Sequence, residues 1–127
     1  MSITYTYTAS VKVGNNTTSL SISKSADGEY VFDDAIAANQ TNKLIAGVLD
    51  VSQIKMLFLY SDQDCTLETN SGGSPADTIS LDAGCPIVWV ADSGIACPLT
   101  TDVTAFYVTN TTAVGRLIIR AQVDLTV

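Results

Sequence analysis

The chain has 127 residues, enough for one domain that buries a core without a metal or disulfide staple. Its 13 acids outnumber its 6 bases, with no Lys/Arg cluster to break the excess, which argues against nucleic acid or an anionic membrane as partner. It contains no histidine, so histidine triads, general bases and zinc sites are removed, leaving carboxylate chemistry or an Asp-rich calcium site.

The opening run "ITYTYTASVKV" alternates strictly: Ile3, Tyr5, Tyr7, Ala9, Val11 and Val13 on one side, threonines, Ser10 and Lys12 on the other. That is a half-buried strand. "GNNTT" turns the chain, "SLSISKS" resumes the alternation through Leu20 and Ile22, and "ADG" leads into the short strand "EYVF", so the opening reads as a meander. In "DDAIAANQTNKLIAGVLDVSQ" the alanines suggest one or two helical turns capped by Asp33 or Asp34. "KLIAGVL" then reads as a strand with Gly47 at a bend or bulge.

"IKMLFLYS" at 54–61 is apolar on both faces, as in a central strand covered on both sides or one covered outside by a partner subunit. In "CTLET" Cys65, Leu67 and Thr69 face one way, Thr66 and Glu68 the other. "NSGGSPAD" is a loop, its Gly-Gly permitting positive φ. "TISL", "CPIVWVA", "VTAFYVTN" and "RLIIRAQVDLTV" read as further strands, the last alternating from Leu117 to Val127. The expectation is an all-β, antiparallel β-sandwich of 8–10 short strands, with a jelly roll or barrel as its possible forms. It forms a single domain over 1–127, residues 1–13 being either a body strand or a docking arm.

Asp62, Asp64 and Glu68 are the nearest approach to a metal site, but "DQDCTLE" lacks the glycine and spacing of a calcium loop, and a solvated hairpin end is the simpler account. No metal, cofactor or catalytic residue is expected, since neither a nucleotide loop nor a GxSxG elbow occurs and sequence cannot place two carboxylates across a cleft. Cys65, Cys85 and Cys97 are odd in number and show no CxxC, which favours buried free thiols. "MSITYTYTAS" has neither the basic start nor the apolar core of a signal peptide. The Asn-X-Thr triplets starting at Asn15, Asn16, Asn39 and Asn110 read as chance occurrences or turn residues.

Trp89 is a core or interface anchor, with a sugar platform as the alternative. Tyr107 and Phe106 face opposite sides, so one is free for a subunit contact. The doubled apolar faces of "IKMLFLY" and "RLIIR" exceed what a small monomer leaves in water and point to an oligomer. Tyr5, Tyr7, Met56, Phe58, Tyr60, Trp89, Tyr107, Ile118 and Arg120 are the candidate interface residues.

"SDQDCTLETN", "SPADTISLDAG" and "VTAFYVTN", within residues 54–124, resemble the small all-β virion proteins of tailed phages that decorate or cement the capsid, or sit in it as accessory pieces. The resemblance implies a jelly-roll-like body, often trimeric, that binds a lattice of major capsid protein on the virion surface. It implies synthesis in the host cytoplasm and no catalysis or cofactor. A glycan- or receptor-binding tail or adhesin module, and another tail or neck assembly protein, remain the alternatives.

Overall fold

The computed structural model describes residues 2–126. Met1, part of the 1–13 segment read as strand or arm, and Val127, the end of the closing alternating run, lie outside the described residues. The described residues form ten strands: β1 (Ile3–Val13), β2 (Asn16–Ala26), β3 (Gly28–Ile36), β4 (Gln40–Leu49), β5 (Ile54–Ser61), β6 (Cys65–Thr69), β7 (Thr78–Leu81), β8 (Ile87–Val90), β9 (Val103–Asn110) and β10 (Gly115–Val123). One short 3-10 turn, Val51–Gln53, is capped by Asp50, whose Oδ1 accepts the Ser52 N–H at 2.9 Å.

The fold is all-β and sandwich-like. A first four-stranded sheet runs β3-β10-β5-β8, a second runs β4-β9-β6-β7, and β1 and β2 form a separate two-stranded ribbon. All pairings are antiparallel. Alternation places Leu57, Leu59, Leu117 and Ile119 of the first sheet against Leu67, Leu81, Phe106 and Val108 of the second in one core, each 0–1% exposed. The outward residues of the same strands therefore decide what the molecule shows to its surroundings.

Two latches close the sandwich. Tyr30 of β3 stacks on Phe106 with ring centroids 5.8 Å apart, and its hydroxyl donates to the Ala46 carbonyl of β4 at 2.8 Å. Gly47 makes room for it, because a Cβ there would lie 2.7 Å from the Tyr30 ring. The register of β4 on β9 shifts between Ala46 and Leu49, as the bend expected at Gly47 requires. At the other end Asn110 is buried, and its amide donates to the Ala37 carbonyl at 3.2 Å and the Ala113 carbonyl at 2.9 Å. This asparagine of a glycosylation-type triplet fastens two turns.

Four expectations are corrected. Asp33 to Ile36 are not helical; they extend β3, because Asp33 pairs in register with Ile118 and Ile36 with Gly115. The opening is no three-stranded meander, since β3 pairs with β10 and not β2. The closing strand stops at Val123, after a register shift on β5, and Asp124 then takes the Thr126 N–H at 3.0 Å in a turn. In "NSGGSPAD" the positive φ falls on Asn70 (70°), not on the glycines. Asn70 is held there because its Nδ2 donates to the Asp102 carbonyl at 2.9 Å and its Oδ1 accepts the Thr104 N–H at 2.7 Å.

Candidate functional site

Strands β1 and β2 pair without slippage from Ile3 opposite Ala26 to Val13 opposite Asn16. Their two-residue turn has Gly14 at φ 59°, the conformation glycine supplies without strain. Opposed residues share a face. One face is Thr4, Thr6, Thr8, Ser10 and Lys12 with Ser25, Ser23, Ser21, Ser19 and Thr17; the hydroxyls of Thr6 and Ser23, and of Thr8 and Ser21, meet at 3.0 Å. The other face carries Tyr5, Tyr7, Ala9, Val11 and Val13 with Leu20 and Ile22.

The base of this ribbon is seated on the outer face of the first sheet. Tyr5, Tyr7 and Lys24 are half-buried and Ala26 is buried, while the hydroxyl face stays exposed. Beneath lie Met56 and Gln122, which face away from the core yet are 6% and 7% exposed. Lys24 also reaches Asp92, with Nζ 3.6 Å from Oδ2.

Glu29 is the polar anchor. Its carboxylate accepts Arg120 Nη2 and Gln122 Nε2, each at 3.0 Å, and the Tyr5 hydroxyl of the ribbon lies close enough to interact with it. Partial burial pushes this carboxyl up, but the hydrogen bonds from Gln122 and Arg120, the Arg120 charge and the Tyr5 hydroxyl outweigh it and hold it below the usual range. Burial first, then the charge and hydrogen bond of Glu29, raises the Tyr5 hydroxyl.

Beyond its base the ribbon stands free as an arm. Val11, Val13 and Leu20 are 65%, 71% and 70% exposed on its apolar side. Between arm and sheet opens a cleft of about 250 Å³, lined by Tyr5, Tyr7, Met56, Phe58, Val88, Arg120 and Gln122 among others. The sheet face continues past it: Phe58 is in register with Arg120 and Val88, and Tyr60 with Ile118. Phe58, Tyr60, Val88 and Ile118 are half-buried and Val31 is exposed. At the margin Arg116 grips Asp33 through two hydrogen bonds of 2.7 Å, which hold the Asp33 carboxyl below its usual range.

Of the residues singled out in the sequence, Tyr5, Tyr7, Met56, Phe58 and Arg120 meet at the cleft, and Tyr60 and Ile118 lie on the same face. Trp89 does not. It pairs with inward-facing Leu57, packs against the core and donates its Nε1–H to the Ile95 carbonyl at 2.7 Å, which fits the core role. Tyr107 faces outward from the second sheet, opposite in sense to buried Phe106, so it belongs to a different surface. Gln122, Glu29 and Val88 were not singled out. For Gln122 and Val88 the available signal was their place on the outward phase of strands already read as doubly apolar; Glu29 gave none.

Asp62, Asp64 and Glu68 are not brought into a metal site. Asp62 accepts the Arg116 N–H and Asp64 the Ala83 N–H, both at 2.7 Å, and Glu68 faces out beside Tyr107. Among the described residues no group of three His, Cys, Asp or Glu side chains is placed to hold a metal ion. All three cysteines are free; Cys65 and Cys97 are half-buried and their thiols raised chiefly by burial, whereas Cys85, expected to be buried, is exposed in the turn before β8. No family model, no curated protein and no solved structure matches the chain.

Proposed function

We propose that the protein is a non-enzymatic structural component of a tailed-phage virion that binds and stabilises, or decorates, the capsid lattice as an oligomer. Its oligomer is a trimer, its lattice partner is the major capsid protein, and its place is the capsid surface. One observation carries this reading: an arm with an apolar stripe flanks the apolar outer face of the first sheet. The first sheet turns out Met56, Phe58, Tyr60 and Ile118 beneath and beside the arm, whereas the second turns out Thr66, Glu68, Thr78 and Ser80 on β6 and β7 and exposes Leu44 and Val48 on β4, with no arm beside them. A body with an arm-flanked apolar face is suited to lie against a neighbouring protein surface. The strand orders support it further. Consecutive strands pass between β3-β10-β5-β8 and β4-β9-β6-β7 as two interlocked Greek keys, which we assign to a jelly roll, an architecture used by viral capsid domains.

The test is the protein content and density map of purified particles made by the genome that encodes this chain. The expected result is a fixed ratio to the major capsid protein and density at symmetry-related positions on the shell. Absence from the particles would remove the reading. Density confined to the tail, with glycan binding by the purified protein, would replace it with the adhesin alternative.

A further inference from the structure

The free half of the arm and the open part of the first sheet share a chemistry. The arm's seated base already shows what its apolar face rests on: the outward side chains Met56 and Gln122 of that sheet. The free half continues the same stripe with Val11, Val13 and Leu20, and the open part continues the same face with Phe58, Tyr60, Ile118 and Val31. Within one chain the free half stays uncovered, Val11, Val13 and Leu20 being 65%, 71% and 70% exposed.

Charge points the same way. Residues 1–26 hold Lys12 and Lys24 and no acid, so all 13 acids lie in the rest of the chain with the four remaining bases. Lys24 is engaged by Asp92 of its own body, so the free half brings Lys12 to a body whose acids outnumber its bases, and the two attract one another between copies. Area then sets the form of the contact. The free stripe is about 20 Å long and about 10 Å wide, carrying on the order of 300 Å² of accessible surface. One seat would bury about 600 Å² over both partners, too little to hold an isolated pair; in a closed ring each copy takes part in two seats, about 1,200 Å² in all, the lower bound of stable interfaces.

We infer that the free half of the arm seats on the outer face of sheet β3-β10-β5-β8 of a second copy of this chain, in a closed exchange where every copy gives one arm and receives one. The inference rests on the oligomeric part of the proposed function and is independent of the capsid.

The experiment is sedimentation velocity on the whole protein at high micromolar concentration, with near-ultraviolet circular dichroism to confirm folding. The wild type should sediment as a closed oligomer, and added salt should weaken it. Val11→Asp with Leu20→Asp on the arm, and Val31→Asp on the sheet, should each weaken association by about a hundredfold while leaving the fold intact, because all three positions are exposed. Lys12→Glu, which touches no core residue, should weaken it several-fold. A monomeric wild type, or an arm variant that associates normally, overturns the inference. So does loss with the arm variant but not with Val31→Asp or Ile118→Asp, because arms would then pack on arms. None of these outcomes bears on whether the protein is found in virions.

Discussion

On β6 the outward side chains are Thr66 and Glu68; on β5, at the matching place in the other sheet, they are Met56, Phe58 and Tyr60. Both strands sit between two neighbours, and both turn leucines inward: Leu67 from one, Leu57 and Leu59 from the other. The core therefore makes the same demand of each, and the difference lies wholly in the outward phase. On β6 and β7 the second sheet gives that phase to hydroxyls and a carboxylate that water satisfies, its large apolar outward residues being Leu44 and Val48 of β4 and Tyr107 of β9. The first spends it on apolar groups that need a cover, and the chain supplies one over Met56 and Gln122 alone. A two-residue period thus encodes two decisions per strand, one about folding and one about contact.

The largest effect should fall where the two sheets do not differ. Phe106→Ala removes a fully buried ring stacked on Tyr30 and should cost about 3–5 kcal/mol in denaturant unfolding. The contrast itself is tested next. Met56→Ala should cost about 2–4 kcal/mol because Met56 is enclosed under the arm, whereas Thr66→Ala on the opposite outer face should stay within about 0.5 kcal/mol. Equal losses at the two positions would show that the outer faces are energetically alike.

The arm's seat should depend on pH at both ends. Glu29 lies below its ordinary carboxyl value of about 4.3, so its contribution is complete above that value and lost as pH falls through the folded pKa. Tyr5 lies above its ordinary value of about 10, so its contribution is complete below that value and lost as pH rises through the folded pKa. Hydrogen exchange of the β1 and β2 amides should quicken in both windows before that of β9, and Glu29→Gln should loosen the arm at neutral pH by about 1 kcal/mol. The smallest effect is Arg116→Ala. The ion pair with Asp33 is half-exposed, and its loss should leave the midpoint of thermal unfolding nearly unchanged.

Most of the strands were legible because alternation and turn residues are local. The runs at 3–13, 54–61, 65–69 and 103–110 contain both their period and their boundaries. Partner choice was not legible. Nothing in "EYVFDD" says that it lies beside residues 115–123, and the alanines of "DDAIAA" favour helix until Asp33 and Ile36 find register partners on β10. The site was half legible for the same reason. Tyr5, Tyr7, Met56, Phe58 and Arg120 stand out by type and phase, but Glu29 gains its meaning only when β3 sets it next to Gln122 and the arm lays Tyr5 over both.

Strand β10 is the middle of the first sheet for β3 and β5 alike, and it is made last of the three. About 90 residues separate Ala26, where the arm is complete, from Gly115, where β10 begins. A two-residue hairpin closes in about 1–10 μs, whereas those residues leave a ribosome in about 5–20 s. Each nascent chain thus carries a half-apolar segment that closes and reopens for seconds with nowhere to rest, while β3 and β5 wait for a shared neighbour. Crowded translation should expose this protein to premature association more than refolding in dilution does. The row of threonines and serines along the ribbon's other side is then a safeguard during synthesis as well as a surface of the mature molecule.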